Sequence, residues 1–170
     1  MSDRAAMTAQ ETVERVLGLS KADGCQVIAD EKTSANLRWA GNTLTTNGAM
    51  RSRQLTVIAA VGGATGVAAG VISRSNVTAD ELESVVRAAE AAAVSSGPAD
   101  DAFALVEPGD PDIGAGWDQP AAETDIAVFG TFAPTLGDAF ARSRAAGRRL
   151  YGFAEHITTS SYFGSSTGLR

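Results

Sequence analysis

Apolar positions fall first at helical and then at strand spacing. Thr8-Ala9-Gln10-Glu11 has the form of a capping box, in which hydroxyl and carboxylate each satisfy an orphan amide at a helix start. The helix it predicts runs to about Ser20, with Val13, Val16 and Leu17 on one stripe and Glu11, Glu14 and Arg15 mostly off it, and Asp23-Gly24 stops it. Such a stripe is a packing face, so the helix is expected to lie against a sheet. Period-two alternation follows: residues 25–30 and 33–40 read as strands, with Ala35, Leu37 and Trp39 on one face and Ser34, Asn36 and Arg38 on the other. Gly41-Asn42 signals a turn, and Thr43-Leu44-Thr45-Thr46 is β-rich, which together predict a hairpin-like meander.

An apolar strand over 54–61 is expected to turn at Gly62-Gly63, where glycine supplies positive φ, and to return antiparallel over 66–72, giving two central strands. Thr78-Ala79-Asp80-Glu81 reads as a second capping box, opening a helix through Leu82, Val85, Val86, Ala89 and Ala92-Ala93 that ends at Ser95-Ser96-Gly97-Pro98. A third helix is expected between about Phe132 and Ala146, with Leu136, Ala139, Phe140 and Arg144 in register and Gly147 as the stop. Residues 150–158 alternate again, Tyr151, Phe153, Glu155 and Ile157 facing one way and Leu150, Gly152, Ala154 and His156 the other, and 160–164 is a further β segment. Between the last two helices, residues 98–121 hold four of the five prolines and many acids around Trp117, and read as an ordered but irregular surface excursion, a covering loop whose one-signed charge and low aliphatic content give it few reasons to pack. The whole describes one α/β (α+β) domain over 1–170, a mixed or largely antiparallel sheet with two to three helices packed on it.

Composition narrows the function. The charged fraction is 20%, the formal net charge is −6, and no apolar run reaches the 18 or so residues that span a bilayer, so a soluble chain without a membrane partner is expected. The start, Met1 to Met7, lacks the basic and apolar regions of a secretory signal, which makes the cytoplasm the expected compartment. Between Arg87 and Arg142 there is no Lys or Arg while ten of the twenty acids fall there. Nucleic-acid binding needs a basic footprint, and the pairs Arg51/Arg53 and Arg148/Arg149 are too little of one, so no direct nucleic-acid partner is expected.

Candidate chemistry is sparse. The glycines at 62, 63, 66 and 70 match neither G-x-G-x-x-G nor G-x-x-x-x-G-K-[ST], so they read as a hairpin and not a phosphate loop. One His and one Cys are too few donors for a zinc site without carboxylates, and Glu155 and His156, adjacent in a strand, point to opposite faces. Cys25 opens an apolar run, where a buried, inert thiol is expected. A Cys25-His156 dyad or a triad from His156 with Ser165 or Ser166 lacks any supporting motif such as G-x-S-x-G. The acid pairs Asp80/Glu81 and Asp100/Asp101 read as a helix first turn and a solvated loop. No catalytic, cofactor or metal residue is assigned on this basis, and the chain is expected to hold no cofactor of its own.

Four segments carry a resemblance. Ala22-Asp23-Gly24-Cys25-Gln26-Val27, Arg38-Trp39-Ala40-Gly41-Asn42-Thr43-Leu44, the run from Thr56-Val57 through Gly66-Val67-Ala68-Ala69-Gly70 to Asn76-Val77-Thr78-Ala79-Asp80-Glu81-Leu82, and Ser161 to Arg170 resemble, in this order and spacing, the N-terminal domain of the TldD/PmbA family, also known as modulators of DNA gyrase. In the last segment Ser165-Ser166 stands near the family's Asn-Ser and departs from it by one residue. The Ala- and Gly-rich composition points to the PmbA-like (TldE-like) branch. The resemblance implies paired cytoplasmic subunits, a zinc peptidase site of H-E-x-x-x-H kind beyond the N-terminal domain, and handling of peptides. None of those ligands has a counterpart in this chain, so what is implied here is a non-catalytic domain of a metallopeptidase complex. It would share in a subunit contact, homo- or heterodimeric, and in the wall of a cavity that admits unfolded peptide. The peptidase-like domain would lie outside this chain, whose stop at Arg170 reads as a junction. A stand-alone hydrolase using His156, or a peptide- or protein-binding module, are the alternatives.

Overall fold

The structure, a computed structural model, describes residues 7–63, 66–102, 104–109 and 116–170. Helix α1 (Ala9–Leu19) is followed by strands β1 (Gly24–Ala40), β2 (Thr43–Gly63) and β3 (Gly66–Ser75), helix α2 (Leu82–Ser96), a short 3₁₀ turn over Ile126–Phe129, helix α3 (Phe132–Ala145) and strand β4 (Gly152–Ser165). The strands form one antiparallel sheet in the order β3-β2-β1-β4. The expected fold class, helices packed on a largely antiparallel sheet, is the one observed.

Three expectations about strand ends need correction, for one physical reason. The segments 25–30 and 33–40 are a single strand, β1. The charged run Asp30-Glu31-Lys32 looks like a break, yet the inward phase of Val27, Ala29, Glu31, Thr33, Ala35 and Leu37 is never interrupted. Glu31 can hold an inward position because the Arg53 guanidinium reaches its carboxylate at 2.9 Å. Likewise 43–46 and 54–61 belong to one strand, β2, which passes through Asn47-Gly48 without turning, and 150–158 and 160–164 merge into β4. A continuous partner strand satisfies backbone amides even where side chains give no β signal.

The β2–β3 hairpin pairs Gln54 with Ser75 through Gly63 with Gly66. The turn was expected at Gly62-Gly63, but both glycines belong to β2, and residues 64 and 65 lie outside the described residues. Gly62 stays in the strand, and a positive φ falls on Gly66 at 130°. β3 is an edge of the sheet, so it is not one of two central strands as expected.

By packing, the chain divides into two compact units, one of Met1–Glu31, Arg53–Pro120 and Ser161–Arg170, the other of Lys32–Ser52 and Ala121–Ser160. In the first, Val13 and Val16 of α1, Val27 of β1, Val57 of β2 and Leu82, Val86 and Ala89 of α2 are buried. Each such Val or Leu contributes about 1.5–3 kcal/mol relative to exposure. The α1 start has the expected capping box, Thr8 and Glu11 each bonding the other's backbone N–H. The second box is only half formed. Glu81 reaches back to the Thr78 N–H, but the Thr78 hydroxyl donates to that carboxylate instead of accepting the Glu81 amide, because Glu81 already has helical φ and ψ and α2 starts after it. In the second unit, Ala35 and Leu37 pack with Phe129, Ala133 and Ala154, and Trp39 meets the rings of Phe132 and Phe140. The turn at Ile126–Phe129, capped by the Asp125 carboxylate, was not anticipated; its four residues are too few to show a period.

Candidate functional site

The larger concavity, about 490 Å³, lies in the first unit. Ala29, Leu55 and Leu82 make it apolar, while Thr12 and Arg15 of α1, Asp30 and Glu31 of β1, Arg53 of β2 and Thr78 and Asp80 before α2 supply polar groups. Arg53 organises one wall. Its guanidinium bridges Glu31 and the Met7 carbonyl, and its backbone N–H and C=O exchange bonds with Asn76, which adopts positive φ at the end of the β2–β3 ladder. Glu31 and Arg53 thus match each other's charge, and neither His, Cys nor Lys lines the cleft. Nothing there pairs a nucleophile with a base, so the cleft suits the binding of an apolar group beneath a polar rim better than bond making. The Glu31–Arg53 pair escaped sequence reading because the two residues lie far apart in the chain. The only trace was an acid at an inward strand position.

A shallower depression of about 320 Å³ in the second unit is lined by Glu123, Thr124, Asp125, Val128 and His156. It contains the one histidine with two nearby acids, yet each donor is engaged elsewhere. His156 Nδ1 lies 2.9 Å from the Thr124 hydroxyl, Glu123 pairs with Arg51, and Asp125 accepts the Ala127 N–H. Among the described residues, no group of three or more His, Cys, Asp or Glu side chains is placed to hold a metal ion. The described residues thus offer no seat for a zinc, which the family resemblance places on another domain.

The other singled-out residues have structural partners. Cys25 is 1% exposed, and burial pushes its thiol pKa up, a hydrogen bond with Ser20 opposing this only in part. Its backbone N–H donates to the Ser166 hydroxyl and its carbonyl accepts the Ser166 N–H, so this serine closes the β1–β4 pair instead of serving as a nucleophile. Ser165 is buried and accepts from Thr167, in a turn completed by Gly168 at φ 96°. Arg51 and Arg53 are both paired with acids. Glu155 and His156 are both exposed on opposite faces of β4.

The described parts of the excursion 98–121 contain no helix or strand, as expected, but Trp117 is firmly seated. It stands edge-on to Tyr162 with ring centroids 6.0 Å apart, Arg170 lies over it at 5.8 Å, and Gln10 donates to its carbonyl. Desolvation, with Glu31 nearby, raises the Tyr162 phenol pKa, and its hydroxyl donates to the Gln119 carbonyl. The remaining positions, 103 and 110–115, lie outside the described residues. No described helix is long and apolar enough to cross a membrane.

Residues 25–93 match the family described as PmbA/TldA metallopeptidase domain 1. No curated protein matches the chain. Among solved structures, TldE from Thermococcus kodakarensis is similar at a TM-score of 0.61 and 9% identity, over 92% of this chain and 34% of the other. A protein from Thermotoga maritima, named as a candidate modulator of a DNA gyrase, is similar at a TM-score of 0.60 and 14% identity, over 95% of this chain and 36% of the other. By sequence over residues 25–93 the chain is similar to the first domain of the PmbA/TldA metallopeptidases, and its fold recurs in two solved proteins of whose length it spans about a third.

Proposed function

We propose that this chain is the non-catalytic N-terminal domain of a TldD/PmbA-type metallopeptidase complex, of the PmbA-like (TldE-like) branch, acting in the cytoplasm. In this reading it contributes to the association of two subunits and to the wall of a cavity through which unfolded peptide reaches a zinc site on another domain. The observation that carries the reading is the match of residues 25–93 to the first domain of that family. The fold likeness over most of the chain supports it, as do the commitments of His156, Cys25, Ser165 and Ser166 to structural bonds.

The test is direct. The purified 170-residue chain is expected to hold no zinc by elemental analysis after dialysis and to leave an unfolded casein substrate uncut. Stoichiometric zinc together with turnover, abolished by His156→Ala, would establish the stand-alone hydrolase instead.

A further inference from the structure

β4 is an edge of the sheet, and the phase of its backbone shows which groups it leaves unpaired. Just before the strand, the Leu150 N–H donates to the Asn42 side chain and the Leu150 carbonyl accepts the Asn42 N–H; just after it, the Ser166 N–H donates to the Cys25 carbonyl. Even-numbered residues therefore turn their N–H and C=O groups towards β1, and odd-numbered residues turn theirs outward. Among the described residues, the outward groups of 151, 153, 155, 157 and 159 meet no backbone partner beyond the sheet. Side chains alternate as well. A Cβ on Gly152 would overlap the Trp39 ring, and Ala154 packs against the cluster of Ala35, Leu37 and Phe129, so even positions face α3. Arg149, Tyr151, Phe153 and Glu155 share the opposite face, and all four are exposed.

An open edge invites a further strand, and proteins guard such edges with Lys, Pro or another charge. β4 contains neither Lys nor Pro, and its one carboxylate is Glu155. That charge opposes an added strand that brings no cation to it. The chain carries the required cation itself: neither Glu155 nor Arg149 has an ion-pair partner among the described residues, and the two lie symmetrically about Gly152.

We propose that the β4 edge pairs with the β4 edge of a second copy, antiparallel about a two-fold axis at Gly152. Each Arg149 then stands opposite the other copy's Glu155, and each Tyr151 opposite the other copy's Phe153, so every favourable pair occurs twice. The outward groups of 151 and 153 bond each other across the axis, and Gly152 meets Gly152 at the closer, non-hydrogen-bonded spacing. Neighbouring registers leave Glu155 without its cation. An axis at Tyr151 sets Glu155 against Gly147, one at Phe153 against Tyr151, one at Ala154 against Phe153, and one at Glu155 against itself. The proposal rests on the two-subunit reading above, for which it names the partner and the contact.

The test is sedimentation velocity of the intact chain over a wide concentration range, with charge swaps. The native chain is expected to dimerise reversibly. Arg149→Glu alone and Glu155→Arg alone each place like charges together twice and should weaken the dimer roughly tenfold. The double swap Arg149→Glu/Glu155→Arg should restore it, as should mixing the two single variants. Repair within one chain cannot mimic this, because residues 149 and 155 lie about 20 Å apart in an extended strand. Hydrogen exchange at 151, 153 and 155 should slow as protein concentration rises. All the swapped residues are exposed, so circular dichroism should show every variant folded. A chain that stays monomeric up to about 1 mM, whether or not an added peptide protects β4, would overturn the proposal. So would single swaps that the double swap fails to rescue. A dimer indifferent to all the swaps would overturn the β4 contact and leave the two-subunit reading standing, whereas zinc-dependent turnover would sink the non-catalytic reading and leave the contact standing.

Discussion

At the scale of single residues, Asn42 is the most heavily committed side chain in the second unit. It follows Gly41 in a two-residue turn, the pair at φ 60° and 66°, the geometry that matches the twist of the strands it joins. Its amide donates to the Arg148 carbonyl and accepts the Leu150 N–H, and its own carbonyl receives the Arg144 guanidinium. Asn42→Ala should lose both side-chain bonds and strain the turn, costing about 2–3 kcal/mol. Asn42→Gly keeps the conformation and should cost roughly half of that. Urea titration with an unchanged slope would measure both; equal costs would mean that the hydrogen bonds contribute nothing. The turn itself was legible in Gly41-Asn42. The bonds to residues 148 and 150 were not, because their partners arrive from more than a hundred positions away.

Among elements, the closest approach is that of α2 to β3. A Cβ on Gly70 would overlap the backbone of Ala89 and Ala93, and backbone cannot yield as a side-chain tip can. Gly70→Ala should therefore cost on the order of 3 kcal/mol by overpacking. Gly137, in the interior of α3 with open space around it, makes the control: Gly137→Ala should stabilise by about 0.5–1 kcal/mol. Thermal or urea unfolding that showed the same sign for both would contradict this placement of α2.

The end of β4 is tied to α1 by a two-point pair between Arg170 and Glu14, at 2.6 and 2.9 Å. The hydrogen bond from Arg170 holds the Glu14 carboxyl below its ordinary value of 4.5. A depressed folded pKa gives a contribution that is present above the unfolded value and lost as pH falls through the folded one, so the tie should loosen below pH 4.5. Hydrogen exchange at residues 165–170 should rise in that window in the native chain, and in Glu14→Gln it should be high at every pH.

For the whole molecule, sequence reading and tertiary structure divided the work unevenly. Among the described residues, local signals found the three α-helices, since each is announced by its own stripe of apolar residues, and found each strand in part. Strand ends were misplaced wherever a charged or glycine-containing stretch such as 30–32 or 47–53 continued a ladder. Backbone pairing there is decided by the neighbouring strand, and nothing in the stretch itself records that neighbour. The scarcity of catalytic donors was equally a property of the chain alone, because one imidazole and one thiol are countable before any folding. Which charges meet was decided only in three dimensions: Glu31 with Arg53, Glu14 with Arg170 and Glu123 with Arg51 are all joined across long stretches of sequence. So was the openness of Tyr151 and Phe153, whose alternation shows that they share a face but not whether anything covers it. Periodicity is a property of consecutive residues, whereas burial and pairing depend on what the rest of the chain brings alongside.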